Sequence, residues 1–211
     1  MSHGAHAVQH EVEHEIKHED GHGHGEAKGT ELSRNKKIAL LIAVIALFLA
    51  FSETLGKSAQ TAALSYNVEA SNLWAFFQAK TIRITTLRTA ADTFKVSAEG
   101  ASEAPLKASM TKQIDAWLRT AGRYEDEADP PEGRKQLMVR AKEAEAKRDT
   151  SLAKYHHYEV ASAAFQIGIV LASATVITGM VVLSFIAAGL GIVGIGFMAI
   201  GLFAPHAVHL F

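Results

Sequence analysis

Cysteine is absent from all 211 residues, which excludes disulfides, thiolate metal sites and thiol nucleophiles. Acidic and basic side chains stop at Glu159, and the 52 residues from there to Phe211 contain no Asp, Glu, Lys or Arg. An apolar stretch of that length belongs in a membrane. Basic excess is also missing. The formal net charge is -1 and no segment carries the cationic density that phosphate binding needs, so a nucleic-acid partner is excluded. No nucleophile elbow, phosphate-cradling loop or zinc-peptidase motif occurs, so no enzyme is expected and no catalytic residue is assigned. The literal G-x-G-x-x-G at Gly189, Gly191 and Gly194 is not a nucleotide site, because it lies among apolar helical residues with no preceding strand and no acidic residue downstream.

Proline and glycine are likewise missing from residues 59–94. Steps of four and three residues through that stretch touch Ala59, Tyr66, Leu73, Phe77, Ile84, Leu87 and Phe94, and Lys80 is the one charged residue on the seam. Such spacing predicts a long helix packed against another helix. It follows directly on an apolar run within residues 34–57. Between Lys37 and Lys57 lie 19 residues without a cation, about 29 Å as a helix against a hydrocarbon core of roughly 30 Å. This is the first expected span. Its carboxylate, Glu53, precedes Lys57 by four residues and is read as snorkelling to the interface.

The rest of residues 58–160 supplies the partner. A loop is expected over 97–108, then a shorter amphipathic helix bearing Ile114, Trp117, Leu118 and Tyr124 that stops at Pro130 and Pro131. The acidic run Glu125, Asp126, Glu127 and Asp129 reads as a solvated turn, with attraction of a cation as the lesser alternative. A second long helix from about residue 132 continues into the membrane, with Leu137, Ala141, Ala144, Arg148, Ser151, Tyr155, Tyr158, Ser162 and Phe165 on its seam. Folded as an antiparallel hairpin, the two bring Trp74 and Phe77 opposite Ala141 and Ala144, large against small. The expected fold is therefore all-α: an integral membrane protein with three transmembrane helices and an extramembrane antiparallel helical hairpin, a coiled-coil-like stalk. The apolar C-terminal part divides into spans within 161–187 and 188–211, with a tight turn over 187–191. Its many glycines suit close helix approach in lipid.

The second seam is poorer in apolar residues than the first. Trp74, Phe76, Phe77, Lys80 and Leu87 are therefore candidates for an assembly interface, either with another copy or with a membrane protein partner, and a homo-oligomer is expected. Lys80 either sets pairing register or extends its stem outward. Residues 1–33 form a tail rich in His and Glu with too little apolar surface to build a core, and disorder is expected. His10, His14 and His18 recur at four-residue spacing, and neutral imidazoles so placed can chelate Zn, Ni or Cu. A metal-handling membrane protein is thus the alternative to a scaffold, with no other cofactor implied. A pore would need polar groups lining the spans, and little beyond Gln166, Glu53 and scattered Ser and Thr is available. Tyr155, His156, His157 and Tyr158 read as an interfacial belt, and His206 and His209 as the exit from lipid. Cations flank the first span on both sides, Lys28, Arg34, Lys36 and Lys37 against Lys57, Lys147, Arg148 and Lys154. The count is tied, and the usual precedence of the first helix points to an inside N-terminus.

Residues 70–83, ASNLWAFFQAKTIR, resemble the bacterial membrane proteins grouped as domain of unknown function 4337. Asn72, Trp74, Phe77, Gln78, Ala79, Lys80 and Arg83 carry the match, and the architecture over 36–211 agrees. The resemblance implies the three-span fold and a bacterial membrane location, and the bacterial inner membrane is the location expected. It brings no activity and no site residues.

Overall fold

The computed structural model of the protein describes residues 25–127, 130 and 132–208, and the regular secondary structure among them is helical. Four helices make up the described residues: α1 (Gly25–Glu99), α2 (Ala104–Glu125), α3 (Arg134–Thr178) and α4 (Val181–Phe203). Three of them, α1, α3 and α4, are long and apolar enough to cross a membrane.

The 75 residues of α1 contain no proline, so the ladder of backbone hydrogen bonds meets no missing donor. It ends just before Gly100, whose amide donates to the Val96 carbonyl at 3.3 Å. The connection to α2 is only 100–103, shorter than the loop expected over 97–108. Pro105 explains the difference. It sits in the first turn of α2, where a missing N–H costs nothing, so it starts a helix instead of prolonging a loop. α2 stops at Glu125, short of the two prolines.

The apolar unit comprises Val160–Met198 and the part of α1 up to Ser52. Its interior is built from Ile38, Ala172 and Ala187, and from Ile45, Ala161 and Phe165. Phe48 stacks on Phe165 with ring centroids 6.1 Å apart. Gly194 lets α4 approach here, since a Cβ at that position would lie 2.6 Å from the Phe165 ring. Leu40, Leu47, Ile177, Phe185 and Ile192 point outward, an inversion of soluble packing that suits a lipid surround. The turn between α3 and α4 lies at Gly179 and Met180, not at 187–191 as expected. Gly179 holds φ at 72° and donates its amide to Thr175, the left-handed cap that glycine provides without a Cβ clash. Gly189 and Gly191 remain inside α4, where glycine in an apolar helix serves close packing and does not force a turn.

The hairpin unit comprises Glu53–Glu159 and Ala199–Phe211. Contacts that climb α1 descend α3: Gly56 lies against Tyr158, and Trp74 reaches Glu145. The pairing is therefore antiparallel. Ala70 and Leu73 form its core with Leu137, Ala141 and Ala144, and Trp74 and Phe77 pack against that cluster.

Candidate assembly surface

Every position of the four-three seam from Ala59 to Phe94 is buried or half-buried, as a helix face committed to a partner requires. Ala141, fully buried, and Ala144 leave the space that the α1 aromatics fill. The Trp74 and Phe77 rings meet edge to face at 5.3 Å and 83°. Trp74 donates its indole N–H to the Glu145 carboxylate at 2.9 Å. Arg134 lies 5.7 Å over the Phe77 ring.

Lys80 resolves inward. Its ammonium donates to Glu127 at 3.4 Å and sits 4.8 Å from the Tyr124 ring centroid, with 11% of its side chain exposed. Glu125, Asp126 and Glu127 of the acidic run are thus more than a solvated turn, and Asp129 lies outside the described residues. Glu125 accepts from Arg134 and from Arg88, Glu127 takes Lys80 and Arg123, and Asp126 accepts from Gln136 at 2.6 Å and Lys135 at 3.0 Å. The Gln136 amide and the Lys135 ammonium hold the Asp126 carboxyl below its ordinary value of 3.8. These pairs tie α1, α2 and α3 together at the α2–α3 connection. Gly133 is required there, because a Cβ would fall 2.4 Å from the Glu127 amide nitrogen.

The sequence-predicted interface is accordingly split. Trp74, Phe77 and Lys80 are engaged within the chain, and Leu87 is half-buried on the same face. Phe76 stands outward, 63% exposed. Of the seven residues that carry the family resemblance, Asn72, Gln78, Ala79 and Arg83 also face outward. Two hollows flank this outer surface. One, of about 360 Å³, is lined by Phe76, Ala79, Lys80, Arg83, Glu132 and Arg140, among others. The other is an open groove of about 680 Å³ where α1 meets Trp117 of α2. Phe94 and Trp117 close one side of it, ring centroids 5.0 Å apart. Threonines of α1 line the rest, and Thr81, Thr85, Thr86 and Thr93 each donate a hydroxyl to the carbonyl four residues earlier.

Spacing alone does not mark Glu145 or Arg134 as a partner of the aromatic seam, whereas Tyr124 belongs to the amphipathic face read for α2. The small residues Ala141 and Ala144 beside Glu145 were the available signal for the first. His157 is buried and its Nε2 lies 3.0 Å from the Pro205 carbonyl, so it faces inward and not into an interfacial belt. His206 reaches Thr150 at 3.1 Å. His10, His14, His18 and His209 lie outside the described residues. Among the described residues, no group of three or more His, Cys, Asp or Glu is placed to hold a metal ion.

Residues 34–204 match the family model described as Domain of unknown function (DUF4337). No curated protein and no solved structure matches the chain.

Proposed function

The chain belongs to the DUF4337 family, and from that premise we propose that it is a non-enzymatic scaffold or accessory protein of the bacterial inner membrane. In this reading α1, α3 and α4 each cross the bilayer. The hairpin stands outside it as a stalk that assembles with further copies or with a membrane protein partner. One observation carries the proposal: α1 is braced on its inner face by Trp74, Phe77 and Lys80 while Phe76 and Ile82 stand out at 63% and 66% exposure. A braced helix with outward apolar side chains is suited to presenting a surface, because little ordering entropy remains to be lost on docking.

The mass of the detergent-solubilised particle by light scattering, with and without a divalent metal, tests this. A defined multimer whose mass ignores metal is the expected result. A monomer overturns the proposal, and a monomer that assembles only with metal transfers the function to the histidine tail.

A further inference from the structure

The inner seam of α1 is occupied by its own chain, yet α1 carries a second seam of the same spacing. Starting at Thr61 and stepping alternately four and three residues, it passes through Val68, Asn72, Ala75, Ala79 and Ile82 and ends at Val96. Every position on it is exposed and none is charged, although Glu69, Arg83, Arg88, Asp92 and Lys95 lie in the same stretch. Val68, Ile82 and Val96 are 52%, 66% and 71% exposed. Counted back through the sequence, the same spacing falls on Leu40, Val44, Leu47 and Phe51, all of them exposed too. A solvated helix face would carry charge at some of these places. A face reserved for another helix would not.

We propose that this outer seam is where α1 of a second copy packs, parallel and in register. The inference rests on the scaffold reading above, in which α1 also spans the membrane. Copies sharing one membrane orientation must align α1 in the same direction, and a common membrane level removes axial stagger. Identical residues then meet across the seam. Asn72 faces Asn72 at one of the positions where a single polar residue fixes register in parallel helices. The flanking residues are compatible with that arrangement. In a parallel pair the residue before one seam position lies beside the residue five further along the other copy. Gln78 then meets Arg83, Ser71 meets Phe76, and Asp92 meets Ser97. No such pair sets like charge against like, and Gln78 offers its amide oxygen to the Arg83 guanidinium. Phe76 gains a neighbour from the second copy, which accounts for an exposed aromatic beside an otherwise small-residue row.

The absence of native cysteine allows a direct test. Single variants Ala75→Cys, Ala79→Cys and Thr86→Cys place a thiol on the seam. Asn67→Cys and Lys95→Cys place one on exposed positions off it. A disulfide forms only where Cβ atoms come within about 4.5 Å. Oxidation with diamide in native membranes is therefore expected to give disulfide-linked dimers at the three seam positions, at least fivefold above the two controls. Light scattering on the same variants separates the two layers of the argument. A multimer with no enrichment at the seam overturns the outer-seam contact and leaves the scaffold proposal standing, whereas a monomer overturns both. As a second arm, Ala79→Glu is expected to lower the particle mass while helical content and melting stay unchanged. An unchanged mass would count against the seam.

Discussion

Trp74 and Glu145 are 71 residues apart in sequence, and a single hydrogen bond of 2.9 Å joins them across the hairpin. The indole is half-buried over small residues, so truncation loses both packing and the bond. Trp74→Ala is expected to destabilise the hairpin by about 2–3 kcal/mol, somewhat below the cost of a fully buried aromatic. Trp74→Phe keeps most of the packing and should cost about 1 kcal/mol. Denaturant unfolding in detergent, followed by circular dichroism, measures both. Equal losses for the two variants would mean that the hydrogen bond dominates and the packing argument fails.

Lys80 and Glu127 should behave as a coupled pair. Each single change, Lys80→Met or Glu127→Gln, leaves a partly buried partner without its counter-ion and is expected to cost about 1–2 kcal/mol. The double variant should recover part of that loss. A coupling energy near zero in the double-mutant cycle would reduce the pair to a surface contact.

Asp126 gives the α2–α3 connection an acid sensitivity. Its folded pKa lies below its ordinary value of 3.8, so the unfolded chain binds the proton more readily in the interval between the two. The stabilisation is therefore fully present above about that ordinary value and is lost as pH falls through the lowered one. Wild type and Asp126→Asn are expected to differ by a constant amount from pH 7 to pH 5 and to converge in stronger acid. A gap that closes already between pH 7 and pH 5 would assign the effect to another group.

The helix contact at Gly194 predicts a positional contrast within α4. Gly194→Val drives a side chain into the Phe165 ring, whereas a Cβ at Gly196 meets nothing within 4 Å. Gly194→Val should lower the melting temperature in detergent markedly, by an amount comparable with overpacking costs of about 1–3 kcal/mol. Gly196→Ala should leave it unchanged. Similar losses at both positions would count against this packing arrangement.

Much of the hairpin was legible in the sequence because helical packing has a period. The four-three spacing from Ala59 to Phe94 marks the face that the structure buries, and the opposition of Trp74 and Phe77 to Ala141 and Ala144 follows from counting residues along two antiparallel helices. What depends on a partner distant in sequence was not legible. Lys80 offered two readings until Glu127, 47 residues away, was placed beside it. The acidic run looked solvated because the distant cations that meet it, Lys80, Arg88 and Arg134, come from α1 and α3. The turn at Gly179 was hidden by the denser glycines near 187–191, since composition does not distinguish a glycine that reverses the chain from one that lets helices touch. Phe76 lies outside the inner seam by residue count, and the structure leaves it exposed.

The threonine row of the α1–α2 groove alters the energetics of anything that covers it. Thr81, Thr85, Thr86 and Thr93 already give their hydroxyl protons to backbone oxygens of their own helix. Their donor capacity is spent before any partner arrives. Covering such a surface leaves no hydroxyl proton of these four residues in search of a partner, and the methyl groups on the same side chains remain free to make contact. To an approaching helix this stretch behaves more like a row of valines than a row of alcohols.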